Sequence, residues 1–401
     1  MKKLLLLGGD ATLLPVIKSA KARGYCVITC DYLPDNIAHK YSDEYINYST
    51  TDKEGILTWA EANKIDGVLT FTDSGVITAA YICDRMGLAR LGSYEAIEII
   101  QNKDQFRTFL RENGCNAPLF RKYTKRDMPE MEPLDFHFPV MIKPVDAAGS
   151  KGVTKVVAKE DLCSACEYAL EFSTRKEIIV EEFIDPVGPQ IHGDCFVKDG
   201  KIVFIYLGDH HFDAGINNLV PVSTTWPSVH SEETLKKVEQ QIQMFINKVG
   251  FMNGCMNIES RISKADSKAY LIDVGARSGG NYTPYVIQYA SGFNFIEAML
   301  NFSMERKPYA QTVNKQGFFA YLVIHAEKDG ILAKVTIDDR LNDKIVERHD
   351  YIPAGGHVRS FRGANAAIGI VIAKFDSMDE MQQVSNHLNE YIHVESIPLV
   401  V

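Results

Sequence analysis

A chain of 401 residues with 46% hydrophobic content is long enough to bury two or three packed domains. Its formal charge of -9 excludes an extended basic surface for nucleic acid but leaves room for a local Lys/Arg pocket that holds a small anion. Eight cysteines are too few for a disulfide scaffold at this length, and they read as small buried residues of a reducing compartment.

The chain opens with the apolar run Leu4–Leu7, followed by Gly8, Gly9 and Asp10. The run is too short for a secretion signal, and no later segment approaches membrane-spanning length. A cytoplasmic protein without a membrane partner is therefore expected. Leu4–Leu7 reads as a buried strand, and Thr12 to Arg23 as a helix ended by Gly24. "YCVITCD" and "IDGVLTF" are further strands, each followed by a helical pattern. This alternation predicts an open parallel α/β domain over residues 1–95. Gly8-Gly9-Asp10 lacks the GxGxxG spacing of a dinucleotide fold, which disfavours a nicotinamide enzyme.

The helix "NKDQFRTFLRENG" leads into a small α+β lobe, taken as residues 96–190. "FPVMIKPV" and "EIIVEEFI" are its strands. The CxxC of Cys163 and Cys166 sits in a helical pattern, where i,i+3 packing explains it better than metal or redox chemistry. A larger lobe over 191–310 starts with a hairpin turning at Asp199-Gly200. An amphipathic helix over Glu232–Val249 follows, ended by Gly250. The strands "CMNIESRI" and "AYLIDVGA" are expected to be antiparallel neighbours. Residues 311–401 form a last α+β unit, with "SMDEMQQVSNHLNEYI" as an amphipathic helix.

Chemistry concentrates in four places. "KPVDAAGSKG" has small residues at Gly149, Ser150 and Gly152 that let backbone N–H groups wrap phosphates, with Lys143 as a fixed positive charge. "VEEFI" puts Glu181 and Glu182 on opposite strand faces, ahead of Phe183 and Ile184. Glu259 and Asp273 are hard oxygen donors on strands expected to pair, suited to Mg2+ against phosphate oxygens. Arg277 follows, able to give paired hydrogen bonds to a transferring phosphoryl group, and Gly279-Gly280 permits close backbone approach. In "LGDHHFDAG", alternation splits His210 and His211 across two faces, and no third ligand lies at compact spacing. One of them, taken here as His210, is expected to face substrate rather than a metal. His192 carries a weaker version of the same signal.

In order, Asn102-Lys103-Asp104, Met141-Ile142-Lys143-Pro144 with its Gly-rich loop, Val180 to Ile184, Asn257-Ile258-Glu259 and Asp273 to Gly280 resemble the ATP-grasp superfamily of ligases. The resemblance runs from residue 1 to about 310 and looks most like the L-amino-acid ligase and carbamoyl-phosphate-synthase-like branch. It implies a pre-ATP-grasp α/β domain, a two-lobed grasp and a small C-terminal α+β unit. It further implies that ATP lies between the lobes. Lys103 and Lys143 would contact its phosphates beneath the loop of Gly149, Ser150 and Gly152. The backbone around Glu182, Phe183 and Ile184 would hold adenine with Glu181 beside it, and Gln190 would face the ribose.

Glu259 and Asp273 would bind one or two Mg2+ ions, with Mn2+ as a substitute. Three positions depart from the family pattern. Asp273 replaces the usual Glu, Gly275 stands where Asn is frequent, and Gln190 replaces a ribose-binding Glu. Asn281 or water would complete the metal shell. Arg277 and Lys143 would be catalytic in joining a small carboxylate to an amine through an acylphosphate, with release of ADP and phosphate. The alternatives are a bicarbonate-dependent carboxylase or purine-synthesis-like ligase, and a non-catalytic nucleotide-binding regulator. A homodimer is the default assembly.

Overall fold

The computed structural model describes residues 1–127, 137–306, 313–314 and 316–398. The N-terminal domain contains β1 (Lys3–Leu7), α1 (Leu14–Ala22), β2 (Cys26–Cys30), β3 (Glu44–Ile46), α2 (Lys53–Asn63), β4 (Gly67–Thr70) and α3 (Asp73–Met86). Its four strands are parallel in the order β3-β2-β1-β4. Residues Leu4–Leu7 and all of β2 are buried, as strands covered on both faces must be. Pro15 in the first turn of α1 and Gly87 in the left-handed conformation after α3 punctuate the helices.

Helix α4 (Tyr94–Gln101) and helix α5 (Lys103–Glu112) lead out of this domain. Phe106 and Leu110 of α5 are buried in the core, as its apolar spacing predicts. The small lobe follows with β5 (Phe120–Thr124), β6 (Val140–Pro144), β7 (Thr154–Val156), α6 (Leu162–Phe172) and β8 (Glu177–Glu182). These strands form an antiparallel sheet in the order β5-β8-β6-β7. Cys166 is buried on α6 and Cys163 is exposed, and neither is bonded, in keeping with a packing role for the CxxC.

The large lobe holds β9 (Gln190–Lys198), β10 (Lys201–His211), β11 (Ser223–Trp226), α7 (Glu232–Val249), β12 (Gly254–Ile262), β13 (Ala269–Gly275), α8 (Thr283–Ser291) and α9 (Phe295–Leu300). Asp199 and Gly200 both have positive φ, 50° and 74°, and close the β9–β10 hairpin at Lys198↔Lys201. On α7, Ser231 caps the start, Gly250 ends it, and Val238, Ile242, Phe245 and Ile246 are buried.

The C-terminal segment adds β14 (Phe318–Ile324), β15 (Gly330–Ile337), β16 (Ile345–Asp350), β17 (His357–Val358), β18 (Gly369–Phe375), α10 (Met378–Asn386) and β19 (Ile392–Ile397). Three of its strands extend the large-lobe sheet, whose order is β13-β12-β9-β10-β11-β14-β18-β16. The other three make a small sheet, β17-β15-β19. The boundary expected at 310/311 lies outside the described residues. The helix expected over Ser377–Ile392 stops at Asn386. Beyond it, Ile392 pairs with Ile337, and alternate residues of "IHVESI" turn toward the small sheet's core. A period of two replaces the helical period there.

Candidate active site

The polar face of the large sheet is written with a period of two. Gln190, His192 and Asp194 alternate on β9, Asn257 and Glu259 on β12, and Asp273 and Gly275 on β13. Between them, Ile191, Cys195, Met256, Ile258 and Val274 enter the hydrophobic core on the other face. Cross-strand register aligns the polar residues into rows. Asn257 lies opposite Asp194 and Gly275, and Glu259 lies opposite His192 and Asp273. The expected Glu259–Asp273 neighbours are thus directly paired. A bulge helps: Glu259 pairs with Asp273 while Ser260 pairs with Leu271, so Ile272 is the extra residue.

Glu259 Oε2 accepts a hydrogen bond from Gln190 Nε2 at 2.9 Å, and Gln190 Oε1 accepts one from Arg261 Nε at 2.7 Å. Asp273 Oδ2 lies 3.4 Å from Lys103 Nζ, and its Oδ1 accepts from the Val274 N–H at 3.0 Å. Burial and the facing Asp273 push the Glu259 carboxyl above its usual range. Desolvation pushes Asp273 the same way, but Lys103 and Lys143 outweigh it and hold that carboxyl low. Two opposed carboxylates, one of them driven up by the other, are a donor set that a hard divalent cation relieves. The residues present therefore fit Mg2+ or Mn2+. Gly275 leaves its position open: a Cβ there would find its nearest neighbours at 3.7 and 3.8 Å. Asn281 (φ 52°) directs its side chain to the Tyr321 hydroxyl.

The two lysines arrive from different elements. Lys103 begins α5, and its Nζ also donates to the Ala147 carbonyl at 3.1 Å. Lys143 is buried on β6 against Glu181 of β8, and burial lowers its pKa. Burial alone would raise Glu181, yet Arg107 and Lys143 together hold it down at about 2. Arg107, 1% exposed, was not anticipated. Its Nε donates to Glu181 Oε2 at 2.8 Å, and its other nitrogens donate to the carbonyls of Leu271 (3.2 Å) and Ile272 (2.6 Å). The i,i+4 spacing from Lys103 puts both cations on one face of α5, a signal present in the sequence.

In the Gly-rich loop, Gly149, Ser150 and Gly152 all have positive φ (68°, 58° and 70°). Ser150 Oγ donates to the Leu219 carbonyl at 2.9 Å, which ties the loop to the large lobe. At Gly152 a Cβ would meet Pro144 at 2.8 Å and Phe172 at 2.9 Å, so glycine is required for space as well as for φ. In the segment expected to hold adenine, the Glu182 N–H donates to the Leu119 carbonyl at 2.8 Å, and the Ile184 carbonyl accepts from Arg261 at 3.3 Å. Phe183 carries Lys155 Nζ 3.7 Å from its ring centroid.

Arg277 pairs in a fork with Asp73 at the start of α3, at 2.9 and 2.6 Å, and donates to the Ser278 carbonyl at 2.8 Å. The N-terminal domain thereby orients the guanidinium beside Gly275. Just beyond, the Gly279 N–H donates to both oxygens of the buried Asp194, a carboxyl that burial pushes up to about 6.

His210 does face this site, and His211 lies on the opposite face with Asn386 (2.7 Å) and Thr225 (3.0 Å). The third partner that spacing did not reveal comes from β9. His192 stacks on His210 with centroids 4.1 Å apart and planes at 22°. One ring nitrogen of each and a Glu259 oxygen lie within 4.8 Å of one another. Near-parallel rings send their in-plane lone pairs side by side, not toward a common ion, so the pair reads as packed imidazoles. Burial holds His210 at about 3 and His192 well below its ordinary value. Both are neutral when folded and charge when unfolded. Their stabilising contribution is complete above about pH 6.5 and is lost as pH falls toward 3. His210→Gln should flatten the acid limb of a urea-unfolding series over that window; an unchanged pH slope would contradict the buried neutral assignment.

Opposed carboxylates, two converging lysines and a positive-φ glycine loop tied to the large lobe thus come together between the two lobes. A family model described as an ATP-grasp domain matches residues 136–284, a little over a third of the chain. The chain is similar to the L-amino acid ligase from Bacillus licheniformis, at TM-score 0.82 and 20% identity, covering 99% of both chains. It is also similar to phosphoribosylglycinamide synthetase from Anaerococcus prevotii, at TM-score 0.75 and 20% identity over 99% of this chain and 100% of that one. Among curated proteins, the carbamoyl phosphate synthase large chain of Pseudothermotoga lettingae is 26% identical over 64% of this chain and 23% of its own length. The chain spans between 13% and 27% of the length of four curated relatives it matches. No helix among the described residues is long and apolar enough to cross a membrane.

Proposed function

We propose that the chain is an ATP-dependent carboxylate–amine ligase. The observation that carries the reading is Glu259 opposite Asp273, with Lys103 on Asp273 and Lys143 held by the Glu181–Arg107 pair. Mg2+ held by the two carboxylates would neutralise charge building on the β- and γ-phosphate oxygens. Lys103 and Lys143 would bind those oxygens from the α5 and β6 sides, under the loop of Gly149 to Gly152. A substrate carboxylate oxygen then forms a bond to the γ-phosphorus as the bond to the ADP oxygen breaks, giving an acylphosphate. The amine nitrogen attacks the acyl carbon, phosphate leaves, and the amine loses a proton. Arg277, oriented by Asp73, would steady the acylphosphate oxygens. Closure of the loop onto Leu219 would keep water from the intermediate.

The fold shared with the L-amino acid ligase over 99% of both chains supports amino acids as substrates. The fold shared with the Hydrogenobacter thermophilus 2-oxoglutarate carboxylase biotin carboxylase domain, solved with MgADP and bicarbonate, supports bicarbonate in the carboxylate's place, with the same phosphoryl transfer. A coupled assay of ADP release with Mg2+–ATP separates these readings. Release that requires both an amino-acid carboxylate and an amine supports the ligase, and release with bicarbonate alone supports the second reading. Nucleotide binding without turnover on either panel leaves a binding protein, and absence of both sinks the proposal.

A further inference from the structure

We infer that Arg107 is a positioning residue that couples the phosphate-binding lysine of the small lobe to the metal strand of the large lobe; this rests on the ATP-dependent reading above. Arg107 belongs to neither lobe's sheet. It projects from α5, the helix that joins the N-terminal domain to the grasp. Its side chain is 1% exposed, and all three hydrogen bonds go to groups adjoining the site. On the small-lobe side it holds one oxygen of Glu181, whose other oxygen holds Lys143. On the large-lobe side it holds the carbonyls of Leu271 and Ile272, the two residues before Asp273.

Ile272 is the extra residue of the bulge, so its carbonyl stands where the β12–β13 ladder is interrupted. An otherwise weak point of the metal strand is therefore tied by a guanidinium. One turn earlier on the same helix, Lys103 reaches Asp273 itself and the Ala147 carbonyl of the Gly-rich loop. The face of α5 thus fixes the relative placement of Lys143, Asp273 and the loop without Arg107 touching a phosphate.

A planar fork is needed for this arrangement. Lysine at 107 can keep a charge beside Glu181 but cannot also serve two carbonyls in a fixed geometry. A displacement of about 1 Å between reacting groups costs on the order of 100-fold in rate. The test compares wild type, Arg107→Lys, Arg107→Met, Glu181→Gln and the double variant Arg107→Met/Glu181→Gln, which removes the Arg107–Glu181 pair together and spares the fold an unpaired carboxylate. Mg2+–ATP binding to the wild type is measured first by calorimetry; if it is absent, the ATP reading itself falls.

With binding present, Arg107→Lys is expected to keep its thermal midpoint within a few degrees, to lose about 100-fold in kcat and to require more Mg2+ for half-maximal turnover, with KM for ATP changed about threefold or less. The double variant is expected to lose less than the product of the losses from Arg107→Met and Glu181→Gln, since Arg107 acts partly through Glu181. Wild-type kcat and Mg2+ dependence in Arg107→Lys overturns the coupling. So does a double variant whose loss is the product of the losses from Arg107→Met and Glu181→Gln.

Discussion

Glu259→Gln is expected to lower ATP turnover on the order of 100- to 1,000-fold while leaving the free protein at least as stable as the wild type. The opposite signs follow from one fact. In the free protein Glu259 faces Asp273 across β12 and β13, and burial and that neighbour push its carboxyl up. A carboxyl raised in the folded state costs stability once pH exceeds its unfolded value, because ionising it is harder when folded. Gln removes that cost at neutral pH and its carbonyl can still accept from Gln190. With Mg2+ present the same substitution replaces a charged oxygen ligand with an amide, and its NH2 group presents hydrogens to the cation or to Asp273. A thermal melt without metal and an ADP-release assay with it read the two effects separately. Full turnover in Glu259→Gln would remove the metal assignment, and a large loss of midpoint in the free protein would mean the carboxylate has a favourable partner instead. Chelation of the wild type with EDTA should reproduce the activity loss and be reversed by added Mg2+ or Mn2+.

The sequence shows what is local. The N-terminal parallel sheet is legible because β1 carries the apolar run Leu4–Leu7 ended by Gly8, and β2 is apolar but for Thr29 and ended by Asp31. The hairpin at Asp199-Gly200 is legible because two adjacent positive φ values need that dipeptide. Glu259 and Asp273 are legible because a short polar link between two strands makes antiparallel neighbours. The rest depends on which strands meet. That β14, β18 and β16 continue the large sheet is set by the β11–β14 pairing, between segments about a hundred residues apart, and no local pattern encodes it. His192 joins His210 and Glu259 only because β9 lies between β10 and β12. The triplets Gln190-x-His192-x-Asp194 and Asn257-x-Glu259 did carry a sign: polar residues at alternate positions in otherwise apolar strands mark a face turned to a site. Asp73 had no such sign for its role, and the spacing of Arg107 from Lys103 placed it on the same helix face without naming its partners. Each is an ordinary charge near the start of a helix, and its partner is supplied by a distant strand or loop.

Lys143→Met is expected to lose both stability and turnover, and a second substitution should restore only the first. Lys143 and Arg107 share the two oxygens of Glu181, a carboxylate only 2% exposed and held at about 2. A carboxyl held that low contributes stability that is complete above its unfolded value near 4.5 and is lost as pH falls toward about 2. Methionine fills much of the lysine's volume but leaves one oxygen of a buried carboxylate without a cation. Breaking such a pair from one side costs about 3–5 kcal/mol. Removing the charge on the other side as well, in Lys143→Met/Glu181→Gln, should recover much of that in a urea midpoint, because Gln offers an oxygen to Arg107 and needs no second cation. Turnover should not recover. If Lys143 binds phosphate oxygens, its ammonium is required at the moment charge moves onto them, and no neighbour can replace it: Arg107 is committed to Glu181 and two carbonyls, and Lys103 reaches Asp273 and Ala147 from the other side. The double variant is then a folded protein with turnover down on the order of 100-fold or more. Recovery of activity together with stability would make Lys143 a structural partner of Glu181 alone and would take it out of the reaction.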